Sequence, residues 1–147
     1  MTPYELVRRT TPVQDATKAE LLRLTRRLER GALLTPPPAV AATLQDQRYF
    51  TDRTREVYTA LAAAGAPARL HARGLLTWLA PGVVGVSLDE EDPLVDEWTV
   101  VLPGAEPVVF AATDLRTPGC EDEDRCFSYG VSRDREVVEE CGRLLGI

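Results

Sequence analysis

The residue types that usually carry chemistry are few in this chain. His71 is the single histidine, which rules out histidine-based metal clusters. Any Ser-His-Asp or Cys-His arrangement would rest on one imidazole in a strand-like context, read as a structural residue. Three cysteines, Cys120, Cys126 and Cys141, form an odd set whose spacing matches no zinc pattern. Neither a dinucleotide fingerprint, a phosphate-loop motif nor a nucleophile elbow occurs. LAPGVVGV holds two glycines but lacks the lysine and following helix that a phosphate loop needs. These residues give no catalytic set and no metal site, and they specify no cofactor.

Carboxylates are the one crowded class. Asp89, Glu90, Glu91, Asp92, Asp96 and Glu97 gather before a tryptophan, and Glu121 to Asp124 form a second group. Crowded acids can bind Ca²⁺ or Mg²⁺ or keep one carboxyl protonated for acid–base work. DEEDPLVDEW lacks the glycine that a calcium loop needs for its sharp turn, so both groups read as solvated loops. A small metal-dependent enzyme is the alternative they support. The basic stripe Arg23, Arg26, Arg27 and Arg30 is interleaved with Glu20 and Glu29 and reads as a solvated helix face rather than an anion site. Polar or aromatic groups expected around a ligand or partner surface are Phe50, Tyr58, Trp98, Asp114 and Arg135. Trp98 is a large apolar anchor in an aromatic-poor chain, Asp114 ends a strand and Arg125 precedes another, and Asp134 and Arg135 open the last helix; each could line a small-molecule pocket or serve as a cap or ion pair.

The totals narrow the class. A chain of 147 residues is the size of one domain with a real core. A net charge of −6 and a pI of about 4.9 argue against direct nucleic-acid contact. The charge is uneven, with 10 Lys/Arg against 7 Asp/Glu in residues 1–64 and 7 against 16 in residues 65–147. The opening residues lack a continuous apolar stretch, and no apolar run approaches membrane-spanning length, so the expectation is a cytoplasmic protein with reduced thiols.

The elements follow from periodicity and punctuation. Residues 1–14 are expected as a flexible arm or short docking segment, and residues 15–147 as one domain. Asp15 is a candidate N-cap for a helix whose Leu21, Leu24 and Leu28 share a stripe, with Gly31 as its stop. TPPPAVAATLQDQ is expected to form a short helix capped by Thr35, with Val40 and Leu44 inward. Thr51 caps a helix from Asp52 to about Ala64, placing Tyr49 and Phe50 at its entry. VVGVSL, EWTVVLPG, PVVFAATDL and CFSYGV read as strands, the middle two as an antiparallel hairpin. Ser132 or Asp134 caps a last helix with Val137, Cys141 and Leu144 facing inward and Val138 and Leu145 widening the stripe, which makes Cys141 a core residue. The fold class expected is α+β, N-terminal helices packed on a mostly antiparallel or mixed sheet with a closing C-terminal helix.

Several segments also resemble a known family. QRYFTDRTREVYTALA, GVVGVSLDEEDPLVDEWTVVLPG, AATDL and FSYGVSRDREVV are similar, in order, to recurring segments of the DICT sensory domain of cyanobacteria and actinobacteria. The chain departs from that pattern where it reads LPGAEP after the tryptophan strand and where Arg133 stands in SRDR, positions at which family members often carry histidine. The resemblance implies a stand-alone, non-catalytic sensory or adaptor domain. It would bind a small ligand or a separate output or regulatory protein, with a homodimer possible. A purely structural interaction subunit is a further alternative.

Overall fold

A computed structural model describes residues 1–147, and its architecture is α+β. The elements are α1 (Pro3–Thr10), β1 (Gln14–Thr17), α2 (Lys18–Leu34), β2 (Val40–Asp46), α3 (Asp52–Ala63), β3 (Ala68–Arg73), β4 (Trp78–Ala80), β5 (Val83–Ser87), β6 (Glu97–Leu102), β7 (Val108–Asp114), β8 (Cys126–Ser132) and α4 (Arg135–Leu144). All eight strands join one sheet in the order β1-β8-β7-β6-β2-β3-β5-β4. The sheet is mixed: β3 lies parallel to both β2 and β5, and every other pairing is antiparallel.

Two cores flank this sheet. Val40, Ala42, Val100, Phe110 and Phe127 point to one face, where Leu21 of α2 and Tyr58 and Leu61 of α3 cover them. Ala41, Val101, Val109 and Ala111 point to the other, covered by Val7 of α1 and by Val138, Cys141 and Leu145 at α4. Alternate residues of a strand point to opposite faces, so β2, β6 and β7 are apolar on both sides and read as continuous runs.

Local chemistry explains where elements differ from the sequence expectation. Residues 3–10, expected within a flexible arm or docking segment, form α1 capped by Thr2, with Val7 fully buried. Thr17, not Asp15, caps α2, because Thr17 and Glu20 form a reciprocal capping box; Asp15 lies in β1. The helix then runs through Gly31 to Leu34, since Gly31 has open space around it and no left-handed turn. The expected helix after Thr35 is instead β2. Three consecutive prolines deliver an extended chain, and Val40 to Thr43 are buried in the centre of the sheet. Thr51 does cap α3. In α4 Val138, Cys141 and Leu145 of the expected stripe are buried and Val137 packs partly buried against them, while Leu144 is exposed.

Candidate functional site

One face of α2 supplies the wall of a pocket. Lys18, Leu22, Thr25, Arg26 and Glu29 recur at helical spacing and look across a cavity of about 210 Å³. Opposite, the start of α3 presents Arg53, Val57 and Tyr58. The sheet provides an apolar floor of Leu44, Trp98 and Val100. Trp98 is held edge-on between Phe110 and Phe127, each with ring centroids 5.5 Å away. These contacts fix the indole, and the sheet is a rigid base beneath the polar rim.

The cationic end is built around Tyr49, in the short 3-10 turn Gln47–Tyr49 that links β2 to α3. Lys18 Nζ lies 4.3 Å from its ring centroid, and the Arg48 and Arg125 guanidinium carbons lie 5.0 and 5.2 Å away. Arg125 Nη2 donates to the Tyr49 hydroxyl at 2.8 Å, and that hydroxyl donates to Asp122 Oδ1 at 2.8 Å. Asp122 also accepts from Arg125 Nε at 2.9 Å and pairs with Lys18. Burial acts to raise the Asp122 carboxyl, but hydrogen bonds from Lys18 and Tyr49 outweigh it and hold it down at about 2. Burial and the Asp122 contact push the Tyr49 phenol upward, so it stays a proton donor at neutral pH.

Backbone irregularity accompanies this end. The pairing of β2 with β3 slips between Thr43 and Gln45, and Gln45 adopts φ 69°, a left-handed conformation rare for a buried non-glycine residue. The bulge turns Gln45 toward Asp114 and Arg125. Gln45 Nε2 donates to Asp114 Oδ2 at 3.2 Å, Arg125 Nη1 donates to the same oxygen at 2.7 Å, and Gln45 Oε1 accepts from Arg125 Nη1 at 3.4 Å. Asp114 thereby orients the guanidinium that reaches the pocket.

At the other end Glu29 is half-buried beside the fully buried Tyr58. Burial raises the Glu29 carboxyl against the pull of Arg53, Tyr58 and Arg26. Burial, then the neighbouring carboxylate, holds the Tyr58 phenol well above its usual range. A carboxyl poised upward within a cationic pocket is suited to proton transfer.

Of the five residues expected around a ligand surface, the structure brings Tyr58 and Trp98 to the pocket and places Asp114 behind Arg125. Phe50 packs against the core beneath the Arg55 guanidinium, 4.9 Å from its ring, and does not line the pocket. Arg135 lies elsewhere, donating to the Gly104 carbonyl at 2.8 Å in the β6–β7 turn. Of the pocket cations, Arg125 was a candidate to line a small-molecule pocket, whereas Lys18, Arg26 and Arg53 were not expected as a site. The arginine stripe of α2 was the available signal, but only tertiary structure shows that Arg26 alone of that stripe lines the pocket. His71 is separated from it, buried with Nε2–H donating to the Leu145 carbonyl at 2.9 Å, and burial lowers its pKa.

The acid-loop alternative is corrected, because no group of three or more His, Cys, Asp or Glu side chains converges to hold a metal ion. Asp92 caps a 3-10 turn, Asp96 pairs with Arg116, and Glu97 is buried under α1 on the face opposite the pocket. Asp92, Asp96 and Glu97 are thus engaged in capping, pairing and packing. No helix is long and apolar enough to cross a membrane.

No family model and no curated protein matches the chain. Solved structures do. The polyphosphate kinase of Porphyromonas gingivalis is similar at TM-score 0.60 and 13% identity over 96% of this chain, which spans only 26% of that protein. NucT from Helicobacter pylori is similar at TM-score 0.59 and 9% identity, covering 92% of this chain and 93% of that one. Nuc from Salmonella typhimurium, a phospholipase D family member, is similar at TM-score 0.53 and 10% identity over 92% and 91%. Identities this low establish the fold alone. They nevertheless correct the reading as a non-catalytic sensory, adaptor or structural domain: the fold is one that enzymes use, and no match supports a signalling domain.

Proposed function

We propose that this protein is an enzyme that cleaves a phosphate ester bound in the pocket between α2, α3 and the sheet. The observation that carries the reading is the convergence of Lys18, Arg26, Arg53 and Arg125 around an apolar floor in a chain of net charge −6. Clustered guanidinium and ammonium groups suit phosphate oxygens, and a desolvated wall strengthens each contact. The fold supports the same chemistry, since a polyphosphate kinase and a phospholipase D family member share it. Three unpaired thiols fit a reducing, cytoplasmic setting.

In the proposed step water attacks phosphorus and the ester P–O bond breaks. The cations take up the phosphoryl charge, and Glu29, whose proton burial helps to retain, gives that proton to the departing alkoxide or phenoxide oxygen. A proton from the attacking water leaves with phosphate or to solvent. The apolar floor takes the organic part of the ester.

The test is release of inorganic phosphate from phenyl phosphate and p-nitrophenyl phosphate. Glu29→Gln is expected to lose more kcat on phenyl phosphate, whose poorer leaving group needs the proton, than on the nitrophenyl ester. Arg53→Ala is expected to raise KM on both. Absence of turnover on both esters by the wild-type protein would overturn the reading.

A further inference from the structure

The Asp122 carboxylate is held as an anionic ligand would be. Three donors converge on it: the Lys18 ammonium, the Tyr49 hydroxyl at 2.8 Å and Arg125 Nε at 2.9 Å. Those three residues come from α2, the turn before α3 and the residue just before β8, where Arg125 is anchored by its backbone carbonyl to the Lys18 amide at 2.8 Å, and all three line the pocket, whereas Asp122 does not. Asp122 opens the short 3-10 turn Asp122–Asp124 in the loop between β7 and β8, a turn that Arg125 closes. Its side chain is 48% exposed, while those of Lys18 and Arg125 are 15% and 17% exposed. The donors are therefore set in the structure and the acceptor sits on its surface. Arg125 also keeps Asp114 as a separate partner at 2.7 Å, so it remains positioned when Asp122 moves away.

We propose that Lys18, Tyr49 and Arg125 form a subsite for a second anionic group of the ligand, at the end of the pocket away from Glu29, and that Asp122 is a built-in competitor occupying it until the ligand displaces it. The inference rests on the phosphate-ester reading of the pocket and adds both this anion subsite and its regulation. A phosphate oxygen can accept from the same three donors that the carboxylate uses, and its greater charge favours the exchange. The β7–β8 loop then leaves the mouth, exposing the pocket only when an anion of sufficient charge is present. Neutral compounds that fit the apolar floor do not release it.

Lys18 is the only lysine of the chain, which supplies a direct reporter. With ¹⁵N-lysine labelling, its Nζ resonance follows a titration with inorganic phosphate. Asp122→Asn removes the competing charge while keeping the side-chain shape, and is expected to tighten phosphate binding by about fivefold, the effect of one nearby charge at a partly exposed site. Lys18→Met should abolish the tight binding in either background. Amide exchange of residues 119–124 should become faster in wild-type protein on adding phosphate. Unchanged or weaker phosphate binding by Asp122→Asn would overturn the proposal, as would slower loop exchange with phosphate. If Asp122→Asn binds more tightly but neither chain releases phosphate from esters, the subsite stands and the enzymatic reading falls. If both chains turn over esters while Asp122→Asn leaves phosphate binding unchanged, the enzymatic reading stands and the subsite falls.

Discussion

Glu97 supplies the prediction with the largest calculable size. It stands at the start of β6 on the face covered by α1 and α4, and it is 4% exposed. Its Oε1 accepts from the Tyr4 amide at 3.1 Å, and Thr2 offers a second hydrogen bond. Burial dominates and raises the carboxyl from 4.5 to about 7, helped by Glu5 and opposed by Thr2, Tyr4 and the amino terminus. Cys141 of α4 shares this buried region.

The pKa is higher in the folded than in the unfolded chain, so the folded state binds more protons between the two values. The stabilisation is therefore complete below the unfolded value and is lost as pH rises through the folded one. A displacement of this size corresponds to about 3 kcal/mol. Glu97→Gln keeps an oxygen for the Tyr4 amide and removes the charge. Urea unfolding followed by tryptophan fluorescence should find the variant close to wild type near pH 4.5, and more stable by about 3 kcal/mol at about pH 8. In thermal melts the gain at the higher pH should approach about 9 °C. A wild-type minus variant difference that stays constant across this range would refute the assignment of the buried charge to Glu97.

Three further outcomes test the scaffold. Thr17→Ala removes the side chain that accepts from the Glu20 amide at 3.3 Å, and should cost about 1 kcal/mol in urea unfolding at neutral pH. Gly85→Ala drives a methyl group into the Leu76 carbonyl oxygen, so a loss of about 3 kcal/mol or failure to accumulate folded protein is expected, read by soluble yield and thermal melting. Cys141 is fully buried and burial pushes its thiol up to about 12; mass spectrometry after iodoacetamide treatment of folded protein should therefore find label on the half-buried Cys120 and Cys126 and none on Cys141 until urea is added.

Much of the fold could be read from local signals. Thr51 and the residues after it carry a helix start that needs no tertiary help, and the two β-branched runs around LPGAEP pair as a hairpin. The β-branched run VVGVSL and the alternation of CFSYGV are likewise properties of the strands themselves. Local signals failed where burial on both sides of the sheet overrode them. VAATL has helical composition, yet at the centre of the sheet, beside β3 and β6, small residues are what two covered faces require. The arm failed as a reading for a similar reason: Thr2 capping and one buried valine are short signals, and Glu97, which completes the docking, lies far away in sequence.

The candidate site was the least legible part because its cations are individually ordinary. Lys18 looks like a first-turn helix residue, Arg53 like a solvated α3 residue, and Arg125 like one charge in an acidic loop. What distinguishes them is an apolar floor on strands that lie far in sequence from most of these charges, with Trp98 wedged between two phenyl rings beneath. The same geometry explains why the acidic second half need not repel an anionic ligand. None of its carboxylates lines the pocket: Asp114 is engaged with Arg125 behind it, and Asp122 is the acid that contests the rim. Charge balance at this pocket is therefore set locally, by Asp122 at the rim and Glu29 within, rather than by the net charge of the protein, and Asp122→Asn is the substitution that should raise affinity for an anionic ligand.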